Sequence, residues 1–153
     1  METIVFDKAK YHFNGNFPKD LDNYQGYVHT GFYIGWLILN DLTSDWFNNE
    51  YKEAIEQFKK IEITCVKLYE EQLDGVFSSE ELNEDGLIFT KDYFDLEKGP
   101  YLNDYGVTLV KDLPSIYHVQ DTVHNFTRIL PIIQLRYHAW KNDPSTLLTI
   151  ELR

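Results

Sequence analysis

Cysteine occurs once in the 153 residues, at Cys65, so the chain can form no internal disulfide. That scarcity suits a reducing compartment. Bases are also few: 14 Lys and Arg stand against 25 Asp and Glu, a net charge of −11. A surface of that sign repels phosphates, which argues against nucleic acid as a partner. Long hydrophobic runs are missing. The most apolar window, Val28 to Leu39, is shorter than the ~20 residues a membrane span requires. No membrane partner is therefore expected. In METIVFDKAK the apolar run is only Ile4-Val5-Phe6 before Asp7 intervenes, too short for a secretory signal. The expected location is cytoplasmic. Five prolines and eight glycines are scattered, and no linker, low-complexity tract or internal repeat is visible. One domain spanning 1–153 is expected.

What the chain has is apolar and aromatic side chains, 43% and 16%, enough for a packed core. The pattern predicts a mainly α class: a single compact helical domain, with a small two-stranded pairing of the terminal segments at most. Gly26 to Asp41 reads as a helix with almost no polar face, hence buried and central. Gly31 and Gly35 lie four apart on one side of it. They cost helix propensity, so another element is expected to cross closely there.

Ser44 or Asp45 can cap a helix from Trp46 to about Lys59, and Thr64 one from Cys65 to Leu73. SSEELNEDGLIFTKDYF reads as helical, with Ser78 and Glu81 as a capping box and Gly99-Pro100 as its end. Residues 101–119 lack a clear period and read as loops or short turns. From near Asp121, Val123, Phe126, Leu130, Ile133, Tyr137 and Trp140 form the cleanest amphipathic stripe, with Pro131 expected to kink it. Thr3 to Phe6 and Leu148 to Leu152 read as strands that could pair.

Catalytic and metal motifs fare poorly. Thiolate zinc sites need more than one cysteine. His118 and His124 are six apart and point in different directions on a helix, while His124 and His138 share a face about 20 Å apart. No metal-ligand set, cofactor motif or catalytic residue is expected. Glu81, Asn83, Asp85, Gly86 and Asp92 mimic a calcium loop, but Glu replaces the required Asp at its first position and Asp the preferred Glu at its last. A capped acidic helix explains the same residues. Ser115, His118 and Asp121 spell a triad in line, yet triads are assembled from separated segments. Turn and cap hydrogen bonds are the simpler role. Cys65, on an apolar stripe, reads as core.

Two groups of residues remain as site candidates. His12, His29 and His118 have aromatic neighbours. Were they to converge with Asp104, Tyr105, Tyr117 and Asp121, they would form a polar pocket, since buried polar groups must find partners. The second group is a charge concentration. Glu70, Glu71, Asp74, Glu80, Glu81, Glu84, Asp85, Asp92, Asp95 and Glu97 are ten acids in a stretch whose one base is Lys91. A solvated, solubilising face is the bland account of them, and a docking patch for a basic partner the sharper one.

The stretches KYHFNGNFPKDL, HTGFYIGWLILNDL, DGVFSSEELNEDG, YLNDY and LPSIYHVQDT together resemble an uncharacterised family of small acidic bacterial proteins. The likeness spans about Lys10 to Trp140. It departs at Tyr11, where the pattern has Trp, and at Gln120, where it has Glu. By size and acidity the family looks like the immunity proteins of bacterial toxin systems. The resemblance implies a stoichiometric, non-catalytic binder of a basic toxin, with His12 as a structural corner. The rival expectations are an enzyme or small-ligand protein built on a His12/His29/His118 pocket, and a housekeeping interaction protein.

Overall fold

In a computed structural model, which describes residues 2–147, the chain opens with strand β1 (Val5–Lys8) and runs directly into helix α1 (Ala9–Phe13). A 3-10 turn (Asn23–Tyr27) leads to α2 (Val28–Leu39), followed by α3 (Asp45–Glu50), α4 (Lys52–Lys59) and α5 (Cys65–Glu71). Strand β2 (Val76–Ser78) comes next, then α6 (Glu84–Tyr93) and α7 (Tyr101–Tyr105). The chain continues through a π-helical turn (Gly106–Val110) and a 3-10 turn (Ile116–His118) into α8 (Val123–Asn142). The class is mainly α, with one small sheet among the described residues.

Every residue of α2 from Val28 to Ile38 is buried, as its nearly all-apolar surface predicts. The close crossing expected at its glycines is made by α5. A Cβ on Gly31 would lie 2.8 Å from the Val66 Cα, and one on Gly35 would lie 2.7 Å from the Cys65 Sγ and 2.8 Å from the Phe126 ring. The two helices touch backbone to side chain because nothing larger than hydrogen stands between them.

Aromatic rings fill the core beyond α2. Tyr33 stacks on Phe94, with ring centres 4.7 Å apart, and Trp36, Phe77, Phe89, Tyr93 and Tyr101 surround them. Their polar ends are satisfied: Tyr33 shares a hydrogen bond with Thr90, and Trp36 donates to Gln134 Oε1 at 3.0 Å. A buried ion pair closes this side. Arg136 of α8 grips Asp104 of α7 with two bonds of 2.8 and 2.9 Å and donates a third to the Leu147 carbonyl. Tyr93 adds a bond to the same carboxylate.

Caps occur at the positions local chemistry predicts. Ser44 accepts from the Phe47 N–H, Thr64 from Lys67 and Thr122 from Asn125, and Ser78 with Glu81 forms a capping box. The box, however, opens a single 3-10 turn, and Asn83 caps α6 separately. The predicted helix from Trp46 to Lys59 is two helices that meet at Tyr51. The expected loops over 101–119 are largely helical, because Tyr101, Asp104, Tyr105 and Leu109 face the core from short turns too brief to show a period. Pro131 does not interrupt α8. Strand β1 pairs antiparallel with β2, and the Leu148 to Leu152 partner suggested for it lies outside the described residues.

Candidate functional site

Four elements bring their polar residues to one point beneath the N-terminus of α2. Strand β1 supplies Asp7. Its register against β2 slips between Val5 and Asp7, and such irregularities re-aim a side chain. Asp7 is 3% exposed. Because α1 follows β1 without a loop, His12 folds back onto it: Nε2 lies 2.8 and 3.0 Å from the two Asp7 oxygens. From α2, His29 sets its Nε2 3.2 Å from the His12 Nε2 and 3.6 Å from Asp7 Oδ2. Thr30 donates to Asp7 Oδ2 at 2.6 Å. The 3-10 turn at 116–118 adds Tyr117, whose hydroxyl is 2.8 Å from His12 Nδ1.

Burial alone would raise the Asp7 carboxyl, but the His12 hydrogen bond, with the His29 imidazole 3.6 Å away, outweighs it and holds the group far below the usual carboxylate range. His29, 1% exposed, is pushed the other way: loss of water lowers it, against the pull of Asp7. Its Nδ1 and the nearby Tyr105 hydroxyl are buried without a hydrogen-bond partner among the described residues. The cluster is closed, since His12, its most accessible histidine, is only 13% exposed at the side chain. Asp7 and His29 themselves are 3% and 1% exposed. The chemistry left to the cluster is that of a proton or a small ion.

The predicted pocket is thus only partly assembled. His12, His29 and Tyr117 converge, and Tyr105 stands beside His29 with ring centres 6.3 Å apart. Asp104 is instead committed to Arg136 and Tyr93. His118 bonds Ser115, with Nδ1 2.8 Å from Oγ. Asp121 accepts from Tyr24 and Thr64, both at 2.6 Å, so it does not complete a triad. Ser115 also caps the Tyr117 N–H, the turn role expected of it. Asp7 is the member that sequence reasoning missed. Its position five residues before His12, where a strand turns straight into a helix, was the available signal. The set Asp7, His12 and His29 offers three ligand atoms within 4.8 Å of one another. No pairing of His118, His124 and His138 pointed to it.

Of the ten acids, nine reach solvent. Glu81 does not: its carboxyl is buried and accepts from the Ser78 N–H and hydroxyl at 2.8 and 2.9 Å. It is withdrawn as a partner-binding residue. The calcium reading fails on the same residues, because Glu81 and Asn83 are spent on caps. Glu70 and Glu71 pair with Lys67, Asp85 with Lys141, and Asp92 accepts from Trp140. Asp74, Glu84 and Glu97 have no side-chain partner among the described residues. Ser44 joins the start of α3 to Glu80 through its hydroxyl, bringing the exposed Asp45, Trp46 and Glu50 toward Glu80. Trp46 is 48% exposed. Partial burial, then the charges of Glu50, Glu81 and Glu80, raise the neighbouring Tyr51 hydroxyl.

A family model, that of a domain of unknown function (DUF7832), matches residues 5–119. The chain belongs to this family. The DUF7832 match takes in Asp7, His12, His29, Tyr117 and all ten acids, and it stops short of α8. No curated protein and no solved structure matches the chain. Within the family's span, the histidine cluster and the acidic surface are separate features. Partly beyond that span, where α8 adds Phe126 and Leu130 to Leu39, Phe58, Ile61 and Ile63, lies an apolar cavity of about 600 Å³. It is apart from the cluster, and none of Asp7, His12 or His29 lines it.

Proposed function

We propose that this protein is a non-catalytic, acidic binding protein that captures a basic protein partner one to one, as bacterial immunity proteins capture their toxins in the cytoplasm. The observation that carries the reading is the density of solvent-facing acids between Glu70 and Glu97, several of them unpaired. Solubility does not require such a concentration in one stretch. Charge of one sign over a surface steers encounter with a partner of the other sign. Beside it, the half-exposed Trp46 with Asp45, Glu50 and Glu80 supplies what an interface centre needs, a rigid aromatic anchor among charges that match a Lys- or Arg-rich surface.

The test begins with capture of the partner from the native host and continues with association kinetics at several ionic strengths. Glu80→Lys with Glu84→Lys changes two exposed groups and leaves the buried Glu81 alone. Its stability stays within ~0.5 kcal/mol of wild type, because exposed charges contribute little. Its association rate falls, and the wild-type rate drops steeply with added salt. A double variant that associates at the wild-type rate sinks the reading.

The enzyme reading rests on the convergence of His12, His29 and Tyr117. With His118 and Asp121 committed elsewhere and Asp7 and His29 buried, it has less to support it.

A further inference from the structure

We propose that Asp7, His12 and His29 are the ligands of a zinc ion that pins the β1–α1 segment to α2. The hydrogen bonds of the cluster do not close on their own. A neutral imidazole carries one proton, on one of its two nitrogens. If His12 Nε2 holds its proton toward Asp7, a proton on His29 Nε2 confronts it across 3.2 Å. A bare His29 Nε2 can accept that His12 proton across 3.2 Å, but its lone pair then also stands 3.6 Å from an anionic oxygen, and its Nδ1–H is left buried with no acceptor among the described residues. If His12 Nε2 is the bare atom, its lone pair faces the carboxylate at 2.8 Å. No assignment pairs every group: either like groups face each other or the buried His29 Nδ1–H is left over. A cation between them removes the opposition, because both Nε2 lone pairs and a carboxylate oxygen then donate to it.

The dimensions agree. Tetrahedral zinc with ligand bonds of about 2.0–2.2 Å sets its donors about 3.3–3.5 Å apart. Taken through the single oxygen Asp7 Oδ2, the three separations here are 3.0, 3.2 and 3.6 Å. An ion enters on shifts of about half an ångström, the scatter of those distances around the zinc values. Two imidazoles and one carboxylate are a borderline donor set, suited to zinc and not to calcium or magnesium. The outer bonds of a metal site are also present. His12 Nδ1, with its proton, donates to the Tyr117 hydroxyl, and Thr30 holds Asp7 Oδ2. Such bonds fix the tautomer and aim the ligand. Three protein ligands leave the fourth position to a donor from outside the chain. This site is independent of the acidic surface and of its partner.

The experiment uses the full chain without an affinity tag, stripped with chelator and titrated with Zn²⁺ by calorimetry, and with Co²⁺ by visible absorption. One zinc per chain and a tetrahedral cobalt spectrum are expected. His12→Gln weakens zinc by at least tenfold, while His124→Gln and His138→Gln, both on the exposed side of α8, leave it unchanged. Should His12→Gln fail to fold, Tyr117→Phe keeps all three ligands and weakens zinc about tenfold through the lost outer bond. Failure of the wild-type chain to bind zinc at one per chain overturns the site. So does a folded His12→Gln, or in its place Tyr117→Phe, that binds as tightly as wild type.

Discussion

Asp7 and Glu81 are both buried carboxyls, and their surroundings drive them in opposite directions. Asp7 has two imidazoles against it and is held ionised. Glu81 has a hydroxyl and a backbone N–H but no cation, so burial wins and pushes it from 4.5 up to about 7. The folded chain then holds a proton that the unfolded chain has already released between pH 4.5 and 7. Stability therefore falls as pH rises through that window, by on the order of 3 kcal/mol, and levels off above it. Below 4.5 both states are protonated and the contribution is constant. Glu81→Gln keeps the shape and does not titrate. Urea midpoints of the two proteins should diverge across the window, the variant gaining on wild type as pH rises. Parallel curves would show that Glu81 ionises normally.

At the scale of elements, the α2–α5 crossing decides how close the core can pack. An alanine at Gly31 would gain about 1 kcal/mol in helix propensity. It would also drive its methyl into the Val66 backbone at 2.8 Å, which cannot rotate away. Overpacking of that kind costs ~1–3 kcal/mol, so Gly31→Ala is expected to be destabilising on balance. Thermal unfolding reads this directly, and a variant that melts at or above the wild-type temperature would show that the helices have room. The same crossing carries Cys65 into the core, where burial raises its thiol well above the ordinary range and makes it unreactive.

For the whole molecule, α8 matters although the DUF7832 match ends before it. Its Ile129, Ile133, Arg136 and Trp140 are buried against the rest of the core. Arg136 neutralises Asp104, which is 2% exposed. Removing one member of a buried pair strands the other, at a cost of about 3–5 kcal/mol. Arg136→Met is expected to lose that much, and Arg136→Met combined with Asp104→Leu to recover most of it. Denaturant midpoints of the single and double variants check the pair. A single variant near wild type would mean that water already reaches Asp104.

Sequence alone determined what depends on neighbours within a few residues. The buried face of α2, the need for a close crossing at Gly31 and Gly35, the caps at Ser44, Thr64 and Ser78, and the acids between Glu70 and Glu97 are all of this kind. Helix periodicity, capping and charge density act over one or two turns, so they can be read without the fold. Tertiary structure decided which polar groups meet. His12 and Tyr117 are 105 residues apart, and Asp104 finds Arg136 across 32. His12, His29 and Tyr117 were legible as candidates because each is a polar group set among aromatics. Their fourth member, Asp7, was not, and neither was the diversion of Asp104, His118 and Asp121 to other partners. A buried polar group takes whichever partner packing brings within 3 Å, and packing is set by the apolar surfaces of the whole chain rather than by the spacing of the polar residues along it.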